Sequence, residues 1–164
     1  MSNVRGIGLV ILAGWLPVSA AGAKEITTAA LVAEMTDLKA MAEFPDPAYT
    51  CRQFSSYDRA STSPADAKTW FANADAGQYL RVEERDGRKE YVMMDADGPG
   101  AVVRIWSANP EGTLRIYLDN DGTPVLEAPM KDVLGGKLPG IPAPIACETR
   151  RGWNCYLPIL YAKH

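Results

Sequence analysis

The amino-acid sequence predicts a mainly β fold, an antiparallel jelly-roll sandwich preceded by one short amphipathic helix. From Gln78 onward, apolar and polar residues alternate with a period of two in short runs. Glycine, proline, asparagine and aspartate separate these runs at short intervals, as in sandwiches and jelly rolls. Helical spacing is found only before Pro47. The chain has 164 residues, of which 47% are apolar, and this fits one globular domain.

Residues 1–23 have the pattern of a secretory signal peptide. Arg5 supplies the positive charge, residues 7–18 are apolar, and the small residues A-G-A, ending at Ala23, form a cleavage signal. The alternatives are a buried helix or a membrane anchor, but the run is shorter than the ~20 residues of a spanning helix and Pro17 interrupts it. We expect an exported protein, periplasmic or extracellular, with no membrane association after cleavage.

The charge balance argues against polyanionic partners. The formal net charge is -3, and no basic stripe is present. Nucleic acids bind through clustered lysine and arginine, and anionic membranes need the same clusters. Phosphate loops and dinucleotide-binding glycine motifs are also missing from the sequence. We expect no nucleic-acid partner and no cofactor.

Three cysteines, Cys51, Cys147 and Cys155, follow the predicted cleavage site. An oxidising compartment would permit one disulfide and leave one thiol, although the spacing does not say which pair would form. The alternative is that all three are packing residues. No C-x-x-C occurs and the only histidine is His164, so we expect neither a metal site nor a catalytic thiol.

Residues 24–47 are expected to form the helix and a connector. Apolar residues recur at helical spacing from residue 28 to residue 42, and Thr27 or Thr28 can cap the helix. The sequence F-P-D-P, which ends at Pro47, stops it. The apolar positions are Leu31, Met35, Leu38 and Met41.

The strands are expected to begin with a hairpin between Gln78 and Met94, which reverses at Asp86-Gly87. The turn D-A-D-G-P-G then leads into a strand that ends before Pro110. On that strand, Val102, Arg104 and Trp106 share one face. This face places a guanidinium beside an indole.

Two further short strands are expected, followed by a long irregular segment and a last strand. In "TLRIYLD", Leu114, Ile116 and Leu118 face one way and the polar residues the other. "PVLEAPM" has two prolines and is expected at an edge. "KDVLGGKLPGIPAPIACETRRG" is expected to be an excursion before the strand "WNCYLPILYA". Because that strand ends without a closing partner, we expect residues 48–164 to be a jelly-roll domain truncated at its C-terminus; the alternative is a small complete module.

Most catalytic constellations are missing from the sequence, which leaves carboxylates, aromatics and arginines. The segment "CRQFSSYDRAS" places hydroxyls, an amide, a carboxylate and two arginines in one predicted loop. Such groups suit a polyhydroxylated ligand. The alternative is a salt-bridged turn in which Asp58 pairs with Arg59 or Arg52.

The chain resembles the N-terminal part of glycoside hydrolase family 172. The resemblance rests on "EMTDLKAMAEFPDPAYTCRQFSSYDR", "DADGPGAVVRIWSANPEGTLRIYLDNDGTPVLEAPMKDVLGG" and "NCYLPILYAKH". It extends from Glu34 to His164, and the S-S-Y-D-R and D-G-P-G-x-x-x-R-I-W blocks are its most specific parts.

The resemblance implies the first of two tandem jelly rolls in a retaining hydrolase of fructo- or arabinofuranosides. It also implies trimer-based homo-oligomers whose neighbouring subunits contribute to the pocket. The family's two catalytic glutamates lie in the later half of the full-length enzyme, so no catalytic residue is assigned here and this chain alone is expected to be inactive. The implied substrate-binding residues are Arg52, Ser55, Ser56, Tyr57, Asp58, Arg59 and Trp106. In this interpretation Asp58 accepts from ring hydroxyls, its neighbouring arginines fix it or bind the sugar, and Trp106 offers an apolar face.

A different class of function also fits a jelly roll. Such domains serve as carbohydrate-binding or oligomer-assembly modules as readily as enzymes. The strand that carries Trp106 admits a structural alternative too, in which the indole is a core residue and Arg104 a satisfied sheet arginine.

Overall fold

A computed structural model describes residues 25–46 and 48–163. The described chain is mainly β and antiparallel, with one short helix before the strands, which confirms the predicted fold class. Within these residues no helix is long and apolar enough to cross a membrane. The predicted signal peptide lies outside the described residues. The elements are α1 (Thr28–Glu34), a 3-10 turn (Ala40–Ala42), β1 (Arg81–Arg85), β2 (Arg88–Val92), β3 (Gly100–Val102), β4 (Ile105–Ser107), β5 (Thr113–Ile116), β6 (Leu126–Pro129), α2 (Met130–Leu134), β7 (Ala146–Thr149), β8 (Gly152–Cys155) and β9 (Ile159–Tyr161).

Helix α1 begins where the sequence predicts but ends earlier. The Thr27 side chain accepts a hydrogen bond from the amide of Ala30 at 3.1 Å, which confirms the N-cap. The predicted continuation to residue 42 was wrong, because polar side chains then bind the backbone. The Thr36 hydroxyl donates to the carbonyl of Ala33 at 3.1 Å, and Asp37 accepts from the two amides that open the 3-10 turn.

The hairpin β1–β2 forms in the predicted position. Arg85 pairs with Arg88 across a two-residue turn. Asp86 and Gly87 both have positive φ, 51° and 74°, as a type I′ turn requires. This turn fixes which residues of the two strands lie opposite each other.

Two predicted strands are each divided between sheets. Strand β3 pairs with β9, whereas β4 pairs with β8, so the strand expected through Arg104 breaks just before Ile105. The last predicted strand divides likewise into β8 and β9, on either side of Pro158. Strand β7, inside the expected excursion, is the other neighbour of β8. Chains that change sheet at a bend are typical of β-sandwich corners.

The apolar core surrounds helix α2, which the sequence analysis did not predict. This helix packs against β5, β6, β7 and β8. Val133 and Leu134 are fully buried. Pro129 precedes the helix and Gly135 follows it, so five helical residues lie within a segment rich in helix-breaking residues. The other buried apolar residues are Leu114, Met130, Ile141, Ala146 and Cys155.

The glycine turn before β3 makes a close backbone approach. A Cβ atom at Gly98 would lie 2.8 Å from backbone atoms of Ala162 and Lys163. Asp119 holds the same segment, because its Oδ1 accepts from the amides of Ala162 and Lys163 at 2.7 Å each. The D-G-P-G turn therefore serves the packing of the strand ends.

The three cysteines are free and differ in environment. Cys155 is buried in the core, as the packing interpretation expects, and burial raises the pKa of its thiol. Cys51 is exposed, so core packing does not account for it.

Candidate functional site

Asp58 closes the polar loop that carries most of the predicted site. Its side chain is only 9% exposed. One carboxylate oxygen accepts from the amide of Ala60 at 2.9 Å, and the other from the amide of Ala74 at 2.7 Å. These two bonds, the one from Ala60 first, lower the pKa of Asp58 although burial opposes them. The ionised carboxylate therefore joins two stretches of chain sixteen residues apart.

Arg59 stiffens the same loop from the other side. Its guanidinium donates to the carbonyls of Tyr57 at 2.5 Å and Ser55 at 3.0 Å, and it lies 3.9 Å from the centroid of the Tyr57 ring. Asp58 is thus satisfied by amides and Arg59 by carbonyls, rather than by the ion pair considered as an alternative. The side chains left exposed are those of Arg52, Ser55, Ser56 and Tyr57.

Trp106 lies on the outer surface of β4. It is 49% exposed, and its Nε1 donates to the carbonyl of Arg151 at 3.2 Å. The ring lies against the backbone of Gly152, where a Cβ atom would be 2.7 Å from the indole nitrogen and where φ is +114°. The indole is therefore held in place with half its surface open, and the alternative that it is a core residue does not hold.

Asn154 joins Arg104 to this aromatic surface. It pairs with Trp106 in the β4–β8 register and is only 4% exposed. Its Oδ1 accepts from Arg104 Nη2 at 2.9 Å and from the Tyr156 hydroxyl at 3.3 Å. Arg104 is therefore satisfied by an amide of the sheet, and its guanidinium carbon lies 5.6 Å from the centroid of the Tyr156 ring.

The sequence analysis missed Asn154 and Gly152. The available signal was "GWNC", in which one amide side chain interrupts an apolar strand next to a glycine. This signal points to Trp106 only once β8 is known to pair with β4. That pairing joins residues far apart in the sequence.

A second charged cluster lies between the hairpin and β5. Glu90 Oε1 accepts from Arg88 Nε at 2.9 Å and from the Tyr117 hydroxyl at 2.8 Å. Arg115 Nε lies 3.7 Å from the same oxygen, and Arg85 Nε lies 3.5 Å from Oε2. Three cations and a phenol thus surround one carboxylate that is 13% exposed.

The pKa of Glu90 is lowered despite its partial burial. Desolvation is the largest influence and raises the pKa, but hydrogen bonds from Tyr117 and Arg88 and the charges of Arg88 and Arg85 together outweigh it. Glu90 is therefore held as an anion.

A shallow cleft of about 170 Å³ lies beside the core, lined by Asn109, Pro110, Glu111, Lys131 and Trp153. Ligand pockets usually have volumes of ~300 Å³ or more. Lys131 Nζ lies 5.3 Å from the Trp153 ring. None of the predicted site residues lines this cleft, so it is not the predicted sugar site. Among residues 25–46 and 48–163, no cluster of histidine, cysteine, aspartate or glutamate has the geometry to hold a metal ion.

The small antiparallel sheets are consistent with a β-sandwich domain. A family model described as the GH172 first beta-sandwich domain matches residues 47–164. The chain therefore belongs to glycoside hydrolase family 172, of which it supplies the first sandwich domain. Comparison with curated proteins and with solved structures found no match.

Proposed function

We propose that this chain is the N-terminal part of an exported, retaining hydrolase of fructo- or arabinofuranosides, and that it supplies binding surface rather than the reacting carboxylates. The observation that carries the proposal is the match of residues 47–164 to a domain that is the first of its family's architecture. The furanoside specificity rests on the resemblance of the S-S-Y-D-R and D-G-P-G blocks.

The lowered pKa values of Asp58 and Glu90 argue against either residue as a reacting acid. A retaining glycosidase needs a general acid with a raised pKa, about 5 Å from a nucleophilic carboxylate. Both Asp58 and Glu90 have lowered pKa values, and both bind fixed partners within the domain. We infer that neither residue is the general acid, and the resemblance implies that the catalytic pair lies in the later half of the full-length enzyme.

The exposed groups suit a sugar ring. The open face of Trp106 can stack on the apolar side of a furanose, and the exposed guanidinium of Arg104 can donate to a hydroxyl. We assign Asp58 to positioning, because its carboxylate already accepts two amides. The hydroxyls of Ser55 and Ser56 and the side chain of Arg52 are then the loop's direct sugar-binding groups.

Turnover assays test where catalysis lies. We expect the 164-residue chain to release no product from aryl α-arabinofuranosides or fructofuranosides, and a longer protein with the following domain to do so. Measurable turnover by the chain alone would contradict the placement of the reacting acids.

The tryptophan surface has a separate test in Gly152→Ala. The added methyl group would meet the indole, so Trp106 must move and furanose affinity should fall about tenfold. The matched control is Gly112→Ala, where φ is also positive, at +73°, but nothing lies within 4 Å of the added carbon. Sugar titrations followed by the Trp106 indole N–H resonance measure both. Unchanged affinity in Gly152→Ala would remove Trp106 from the site.

Export and assembly are parts of the same proposal. Cleavage after Ala23 would be read by N-terminal sequencing of the secreted protein. Trimer-based assembly is expected for the full-length enzyme, with neighbouring subunits completing the pocket. If the longer protein binds furanosides without cleaving them, the function is that of a carbohydrate-binding or assembly module.

A further inference from the structure

The β1–β2 hairpin turns its charged side toward the domain. Along both strands the less exposed residues alternate with more exposed ones, and the former include Arg85, Arg88 and Glu90. This inner side meets Tyr117 and Arg115 of the neighbouring chain segment. The hydrogen-bonded ions hold the hairpin in this orientation.

The opposite side of the hairpin faces outward and is mostly apolar. We call it the outer face; its residues are Leu80, Val82, Glu84, Lys89, Tyr91 and Met93. Val82 and Tyr91 lie opposite each other and are 51% and 53% exposed. The Tyr79 ring extends the surface, with its centroid 4.8 Å from that of Tyr91. A sheet usually turns its apolar side inward and its charges to solvent, so this reversed hairpin has a face that another surface should cover.

We propose that the outer face binds the outer face of a second copy of this chain, around a two-fold axis parallel to the strands. Such an axis sets β1 of one copy over β2 of the other at the same height. Residues that are opposite within one hairpin then also meet between copies. Val82 of each copy covers Tyr91 of the other, and Glu84 of each meets Lys89 of the other.

The positions of Glu84 and Lys89 favour this arrangement and a second copy of the chain as the binding partner. Glu84 and Lys89 are opposite each other near the turn, so the face is complementary to itself. The other face-to-face arrangement has its axis across the strands, and it would press Leu80 against Glu84 and Met93 against Lys89. That arrangement buries charges on apolar groups, which is costly. A second copy in the parallel-axis arrangement satisfies every position of the outer face.

Sedimentation over a range of concentrations tests the contact in the 164-residue chain, apart from the trimer-based assembly proposed for the full-length enzyme. We expect a monomer–dimer equilibrium, and Val82→Glu should weaken the dimer at least about tenfold by placing a carboxylate in the apolar centre. The matched control is Val125→Glu, at a valine of similar exposure outside the hairpin, which should leave dimerisation unchanged. A thermal melt of each variant shows that it is folded. A chain that stays monomeric up to about 0.2 mM, or a dimer insensitive to Val82→Glu, overturns the proposal.

A charge exchange separates contacts between copies from contacts within one hairpin. Glu84→Lys alone and Lys89→Glu alone each create like charges across the axis, and each should weaken self-association about fivefold. When the two variants are mixed, position 84 of each copy meets a position 89 of opposite charge on the other copy, while the pair within each hairpin stays like-charged. Recovery of dimerisation in the mixture is the expected result. Absence of recovery would overturn the two-fold register. The test does not involve sugar, so its outcome is independent of the proposed enzymatic function.

Discussion

The loop at residues 51–74 and the core at residues 113–155 are stabilised by different interactions. In the loop, side chains bind backbone groups, as Asp58 binds the amide of Ala74 and Ser61 the carbonyl of Trp70. In the core, apolar side chains pack around Leu134. The difference indicates that the predicted sugar-binding groups are held by local hydrogen bonds, while the free energy of unfolding comes mainly from the core.

The largest change in the free energy of unfolding is expected from a cavity in the core. Leu134→Ala removes a fully buried side chain and should lower the free energy of unfolding by about 3 kcal/mol. Chemical denaturation followed by tryptophan fluorescence measures it. Leu38→Ala is the control, because Leu38 is 80% exposed and its truncation should change stability by less than about 0.5 kcal/mol. Equal effects of the two changes would refute a core centred on α2.

A smaller effect on stability is expected at the charged cluster around Glu90, between the hairpin and β5. Glu90→Gln leaves three arginines without their shared anion and should cost about 2 kcal/mol at neutral pH. Since the folded-state pKa of Glu90 is lowered, its contribution is present above the unfolded pKa of about 4.3 and is lost as pH falls through the folded value. The two proteins should therefore approach each other in stability below about pH 4. A difference that grows on acidification would contradict this assignment.

The smallest change in global stability is expected in the loop. Asp58→Asn replaces one acceptor oxygen by an NH2 group, so the backbone amide of either Ala60 or Ala74 loses its acceptor and the loop should open locally. Hydrogen exchange at the amide of Ala60 or of Ala74 should become about tenfold faster, while the melting temperature hardly changes. Asp75→Asn, at an exposed neighbouring aspartate, is the control. Loss of the whole fold in Asp58→Asn would show that loop and core are not separate.

The parts of the fold that follow from local chemistry could be predicted from the sequence. Asp86-Gly87 between alternating strands specified the hairpin, and Thr27 specified the start of α1. Helix α2 could not be predicted, because five residues are too few to show helical periodicity and Pro129 and Gly135 flank them. The breaks before Ile105 and at Pro158 arise from a change of sheet, which depends on distant partners.

For the candidate site too, contacts between residues far apart in the sequence could not be predicted. The sequence identified the S-S-Y-D-R block and Trp106 as unusual, and the structure finds the former in one loop and the latter on an exposed surface. The partners of Asp58 could not be foreseen, since one of them is a backbone amide sixteen residues away. Likewise, alternation gave the two faces of the hairpin but did not say that the charged face lies inside.

The position of α2 also bears on how the domain folds during synthesis. The strands that enclose this helix extend from Thr113 to Cys155, so its burial requires strand β8, far along the chain. A nascent chain that has not yet reached Cys155 lacks a complete β8, one of the four strands that contact α2, and offers apolar surface to chaperones. Ribosome-arrested chains in which residue 155 has or has not emerged from the ribosome should therefore differ sharply in protease resistance.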